Sequence, residues 1–172
     1  PQNLGSPRFN LSVLALLLDS TKGAAGSPNR ERDTTPVTNG SQGTLSIRRR
    51  FQNNTGAPVT RLRIRVVDIS TAPVTGSTAD LRAIDSGNIT VSVNDPATCT
   101  AAGFATKPCN VTVLGTTVET PPNQPLGGGN NSSMTIILGT PLAPNASVSV
   151  QFLLGVQATG SFKFFFNVEA LP

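Results

Sequence analysis

The chain has no histidine, no tryptophan and no tyrosine. Without histidine it lacks the commonest general base and the commonest metal ligand. Without Trp and Tyr it lacks the usual stacking platforms for sugars and much of the usual hot-spot chemistry of interfaces. Charged residues make up only 13 % of the sequence, so long charged helical faces are missing too. The nine acids are scattered singly. No converging carboxylate pair of the kind that hydrolyses glycosides is visible, and no Ser or Lys stands beside a base that could activate it. Residues 29–33 (NRERD) mix their charges and lack the spacing of a calcium loop. These absences argue against an enzyme, a cofactor and a metal site.

What is present points to β structure. At 172 residues the chain can bury a real core. Gly, Pro, Ser, Thr and Asn are abundant, which suits many short strands joined by turns. The stretch 44–69 (TLSIRRRFQNNTGAPVTRLRIRVVDI) organises the rest. It reads as a hairpin of two strands, about Leu45–Phe51 and Arg61–Ile69, around turn residues 53–58. In the second strand Leu62, Ile64 and Val66 point one way and Arg61, Arg63 and Arg65 the other. Further strands are expected at Asn88–Val93, Val111–Leu114, Met134–Leu138, Ser147–Leu154 and Ser161–Ala170. In the last, Phe162, Phe164, Phe166 and Val168 form the inward face. The expectation is an all-β sandwich, Ig-like or jelly-roll, of about eight to ten strands over residues 44–172.

Residues 1–43 read as an N-terminal extension. Phe9–Leu18 (FNLSVLALLL) is too short to span a bilayer, so no membrane span is expected in it. Read as a strand, it puts Phe9, Leu11, Val13, Ala15 and Leu17 on one apolar face, and Leu14, Leu16 and Leu18 on the other. A strand apolar on both faces must be buried. A short helix is the rival reading, because Leu and Ala are good helix formers. Residues 19–43 carry no apolar periodicity and read as a flexible arm. Extended, it could reach on the order of 80 Å. The strand could then fold back on its own domain or insert into a neighbouring copy.

Three constellations remain. Cys99 and Cys109 are the only cysteines. Their even count and close spacing predict a disulfide and an oxidising compartment outside the cytoplasm. Arg48, Arg49, Arg50, Arg61, Arg63 and Arg65 supply six of the thirteen positive charges. If the two strands paired, Arg48 and Arg50 would share a basic face with Arg61, Arg63 and Arg65, which needs compensation from carboxylates or a partner. No aromatics interleave with them, so nucleic acid is not the expected partner. Lys163 sits in the most hydrophobic strand with Glu169 nearby, which raises an isopeptide crosslink. A charged guard on an edge strand is the simpler reading.

The segments SPNRERD, GTLSIRRRFQNNTGAPVTRLRIRVVDI, NDPATC and PLAPNASVSVQFLLGVQATGSFKFFFNVEALP resemble the C-terminal β-rich module of large exported bacterial surface proteins. The resemblance extends over most of residues 9–172 and implies an extracellular or cell-surface location; no catalytic residues are carried over from it. A second analogy is to pilin-like subunits, whose N-terminal arm completes the next subunit's sandwich. Phe9, Leu11, Val13, Ala15 and Leu17 would then be the donated, pocket-filling set. Such a head-to-tail contact does not close on itself and builds a fibre. The leading expectation is therefore a secreted filament subunit whose partners are copies of itself. The alternative is a monomeric surface module for adhesion or anchoring, with cell-wall or surface glycans as ligands.

Overall fold

The computed structural model describes residues 13–71, 78–120 and 127–171. Phe9 and Leu11 of the expected donor strand lie outside them. The described chain is nearly all β, and two sheets pack face to face as a sandwich. The elements are β1 (Val13–Leu17), β2 (Arg30–Asp33), β3 (Thr44–Asn53), β4 (Val59–Ile69), β5 (Asp80–Ile84), β6 (Ile89–Val93), α1 (Pro96–Ala101), β7 (Cys109–Leu114), β8 (Thr117–Thr120), β9 (Ser133–Leu142), β10 (Ser147–Ala158) and β11 (Phe164–Leu171).

The larger sheet is built on the antiparallel pair β3–β10. On the far flank of β3, β1 and β2 lie end to end, both antiparallel to it. On the far flank of β10 lie β5, antiparallel, and β7, parallel; β6 then pairs with β7. The smaller sheet has the order β11-β4-β9-β8. Gly155 of β10 has no room for a side chain, because a Cβ there would lie 1.9 Å from the Asn39 carbonyl oxygen.

The organising stretch is thus not a hairpin. β3 and β4 belong to different sheets, and residues 54–58 carry the chain across the sandwich. The cause is burial on facing surfaces. Leu45, Ile47 and Phe51 line the inside of one sheet, and Leu62, Ile64 and Val66 line the inside of the other. Two such apolar faces can meet only if the strands lie in opposite layers. Asn53, fully buried, holds the crossing: its side-chain amide donates to the carbonyls of Ala57 and Leu142, each at 2.8 Å. The expected inward set of the last strand also holds, with Phe162, Phe164, Phe166 and Val168 packed on the core. Phe152 stacks obliquely on Phe166 at 4.9 Å and meets Phe51 edge-on at 6.1 Å. Such aromatic pairs add roughly 0.5–1.5 kcal/mol each beyond the area they bury.

A second, smaller core lies on the opposite surface of the larger sheet. Val113 aligns with Ser149 of β10, whose neighbours Val150 and Phe152 face the main core. Val113 therefore faces away from it. Around it gather Leu18, Val91, Val93, Val111 and the two cysteines, with α1 packed against β7.

Candidate functional site

Residues 19–43 are not a structureless arm. They hold β2 and a set of tight turns, and the segment following β1 is bolted to the body. Leu18 and Asp19 are both 0 % exposed. The Asp19 N–H donates to the Asn29 side-chain oxygen at 2.8 Å, and the Asn29 amide returns a bond to the Asp19 carbonyl at 2.7 Å. This closes the loop between β1 and β2. A second, reciprocal latch joins it to the end of β6. The Asp19 carboxylate accepts from the Asn94 N–H at 2.7 Å, and the Asp95 carboxylate accepts from the Ser20 N–H at 3.0 Å. Burial would raise the Asp19 carboxyl, but the Asn94 N–H and the Thr21 hydroxyl and N–H outweigh it and hold it below its ordinary value. Asp95 is likewise pushed up by burial. Bonds from Ser20, Ala97 and Thr98 bring it down further than that. Asp95 is also the N-cap of α1, with Pro96 after it.

Val13, Ala15 and Leu17 of the expected donor set run along β3 of their own chain, in the register Val13↔Asn53 to Leu17↔Arg49. Val13 packs on the main core, while Ala15 is exposed. Among the described residues no strand pairs with the other flank of β1.

The arginines do not form one basic face, because their strands lie in different sheets. Arg61, Arg63 and Arg65 line the outside of the smaller sheet. Glu169 sits between two of them, 2.6 Å from Arg63 Nε and 3.6 Å from Arg65 Nε, which relieves the repulsion along the strand. Arg48 is buried on the other sheet. It donates to Gln151 Oε1 at 2.9 Å and to the Pro28 carbonyl at 3.1 Å, and pairs with Glu31 at 2.8 Å. Lys163 pairs with Asp68 at 2.8 Å, while Glu169 is engaged by the arginines. The isopeptide geometry is therefore not assembled.

Arg50 is placed differently. Its Nη1 donates to Ser147 Oγ at 3.1 Å, but no carboxylate pairs with it among the described residues. Its Nε is buried without a partner. It lines a cleft of about 370 Å³ between the β3–β10 pair, β7 and α1. Cys99 and Cys109 form a disulfide that ties α1 to the start of β7. The bridge thereby fixes one wall of this cleft.

Among the described residues no group of His, Cys, Asp and Glu could hold a metal ion, and no helix is long and apolar enough to cross a membrane. No family model, curated protein or solved structure matches the chain.

Proposed function

We propose that the chain is a secreted, non-catalytic β-sandwich module that stands as a monomer at a cell surface, closes its larger sheet with its own strand β1, and serves adhesion or anchoring. The observation that carries this reading is the latch after β1. A strand meant for donation should leave its own domain at little cost. Here Leu18 and Asp19 are buried, and three main-chain bonds to Asn29, Asp95 and Asp19 side chains hold the exit. The Cys99–Cys109 disulfide supports an oxidising compartment.

A second reading, a filament built by donation of β1 to the next copy, is favoured by one feature. The β1–β3 pairing is a plain antiparallel ladder on a sheet edge, and the same ladder could be made between chains. Mass measurement of the native material by light scattering, with negative-stain microscopy, separates the two. The proposed reading expects particles of one chain at every concentration. Uniform fibres would overturn it. Deleting residues 1–19 adds a second test. It should unfold the module, whereas a donor-strand subunit would survive as a soluble monomer with an open groove.

A further inference from the structure

We infer that the cleft between α1, β7 and the β3–β10 pair binds a sugar bearing a carboxylate, such as a uronic-acid unit of a polysaccharide, with Arg50 receiving the carboxylate. This deepens the surface-module reading and rests on it.

Two polar groups beside the cleft have no hydrogen-bond partner within the protein. Thr98 is 1 % exposed, lines the cleft, and its Oγ1 has no partner; Arg50 Nε, on the same cleft, has none either. Buried polar groups are almost always paired, with protein or with an outside oxygen, so two orphans beside one cleft make it the favoured place for a polar ligand. Its charge is set by the lining, in which Arg50 is the only charged residue and no acid occurs. A single planar guanidinium fork matches a carboxylate. The same fork also fits a phosphate, which makes inorganic phosphate a necessary parallel probe. Asn110, Ser147 and Ser149 also line the cleft and can bond ring hydroxyls in both directions. Phe104, 43 % exposed, gives the wall an apolar surface for the C–H face of a sugar. The volume lies within the range of about 300–1,000 Å³ usual for small-ligand sites. Among the described residues, neither the cleft beside β2 nor the one lined by Phe162 has an unpartnered buried polar side chain. The one beside β2 has its Arg48 and Glu31 already paired to each other.

The test is a titration of the isotope-labelled chain with oligogalacturonate, followed by amide chemical shifts. A neutral galactose oligomer and inorganic phosphate serve as parallel probes. Saturable shifts centred on Thr98, Phe104 and Asn110 are expected with the acidic oligomer alone. Arg50→Gln should weaken binding about 10- to 100-fold, the usual effect of losing a charged hydrogen bond. Thr98→Val should also weaken it while leaving the melting temperature unchanged or higher, because the hydroxyl it removes is unpaired. That variant keeps the test independent of any effect of Arg50 on folding. Equal binding of the neutral oligomer or of phosphate, or unchanged binding in Arg50→Gln, would overturn the inference. A monomeric chain that shows no shifts refutes the inference and leaves the surface-module reading standing. Fibres that do show them refute that reading and leave the cleft assigned.

Discussion

Replacing Leu18 by Ala tests whether β1 belongs to its own chain. Leu18 closes the smaller core against Val91, Val93, Val111, Val113 and the disulfide. By area alone, burying a leucine side chain is worth about 1.5–3 kcal/mol. Truncation in a packed interior costs about 2–5 kcal/mol, because a cavity is left as well. This core is small and roofed by a short helix and a loop, so it can partly collapse. The expected cost is in the lower half of that range, ~2–3 kcal/mol. Leu14, within β1 itself, is 45 % exposed, and its truncation should cost less than about 0.5 kcal/mol. Urea unfolding followed by far-UV circular dichroism serves as the assay, since the chain has no Trp or Tyr to report by fluorescence. The midpoints should not depend on protein concentration. Equal costs for the two variants, or a midpoint that rises with concentration as linked assembly demands, would refute the reasoning.

Three further outcomes are expected. Asp19 and Asp95 have folded-state values below their ordinary ones, so the stability they contribute is fully present above about pH 4 and is lost as the pH falls through the depressed values. Between about pH 5 and pH 2 the native chain should therefore lose more stability in urea titrations than Asp95→Asn does, and parallel losses would contradict the latch. Replacing both Cys99 and Cys109 by Ala should cost about 3 kcal/mol from loop closure alone, read by urea unfolding of the variant beside the oxidised chain; a cost under about 1 kcal/mol would contradict it. Gly155→Ala should destabilise by at least about 2 kcal/mol, because its Cβ would meet the Asn39 backbone oxygen; a melting temperature unchanged by the substitution would show that the loop at Asn39 can move away.

Alternation made the inward faces legible. Leu62, Ile64 and Val66, and Phe164 and Phe166, could be assigned to the core from spacing alone, and all pack there. The pairing of Cys99 with Cys109 was equally plain from their count and separation. Period-2 patterning says which face is buried but not which strand lies alongside. Two strands joined by a turn therefore looked like a hairpin, when they are opposite layers of the sandwich. Residues 19–43 looked unstructured because the groups that order them, Asp19 and Asn29, are polar and leave no mark in an apolar pattern. One local signal for α1 is present in the sequence: Asp95-Pro96 is an N-cap followed by a favoured first helical residue. The cleft had no local signal at all. Arg50, Thr98 and Ser147 are far apart in the chain, and only the fold brings them to one cavity.

The most direct test of the account is a crosslink between β1 and β3. Leu14 and Gln52 are register partners across that edge. The double variant Leu14→Cys, Gln52→Cys is oxidised at several protein concentrations, digested and mapped, with the undigested material run on a non-reducing gel. If β1 completes the sheet of its own chain, the 14–52 bridge forms within single chains and the gel shows one monomeric band throughout. A ladder of linked chains carrying the same bridge would place β1 in a neighbour and contradict the account.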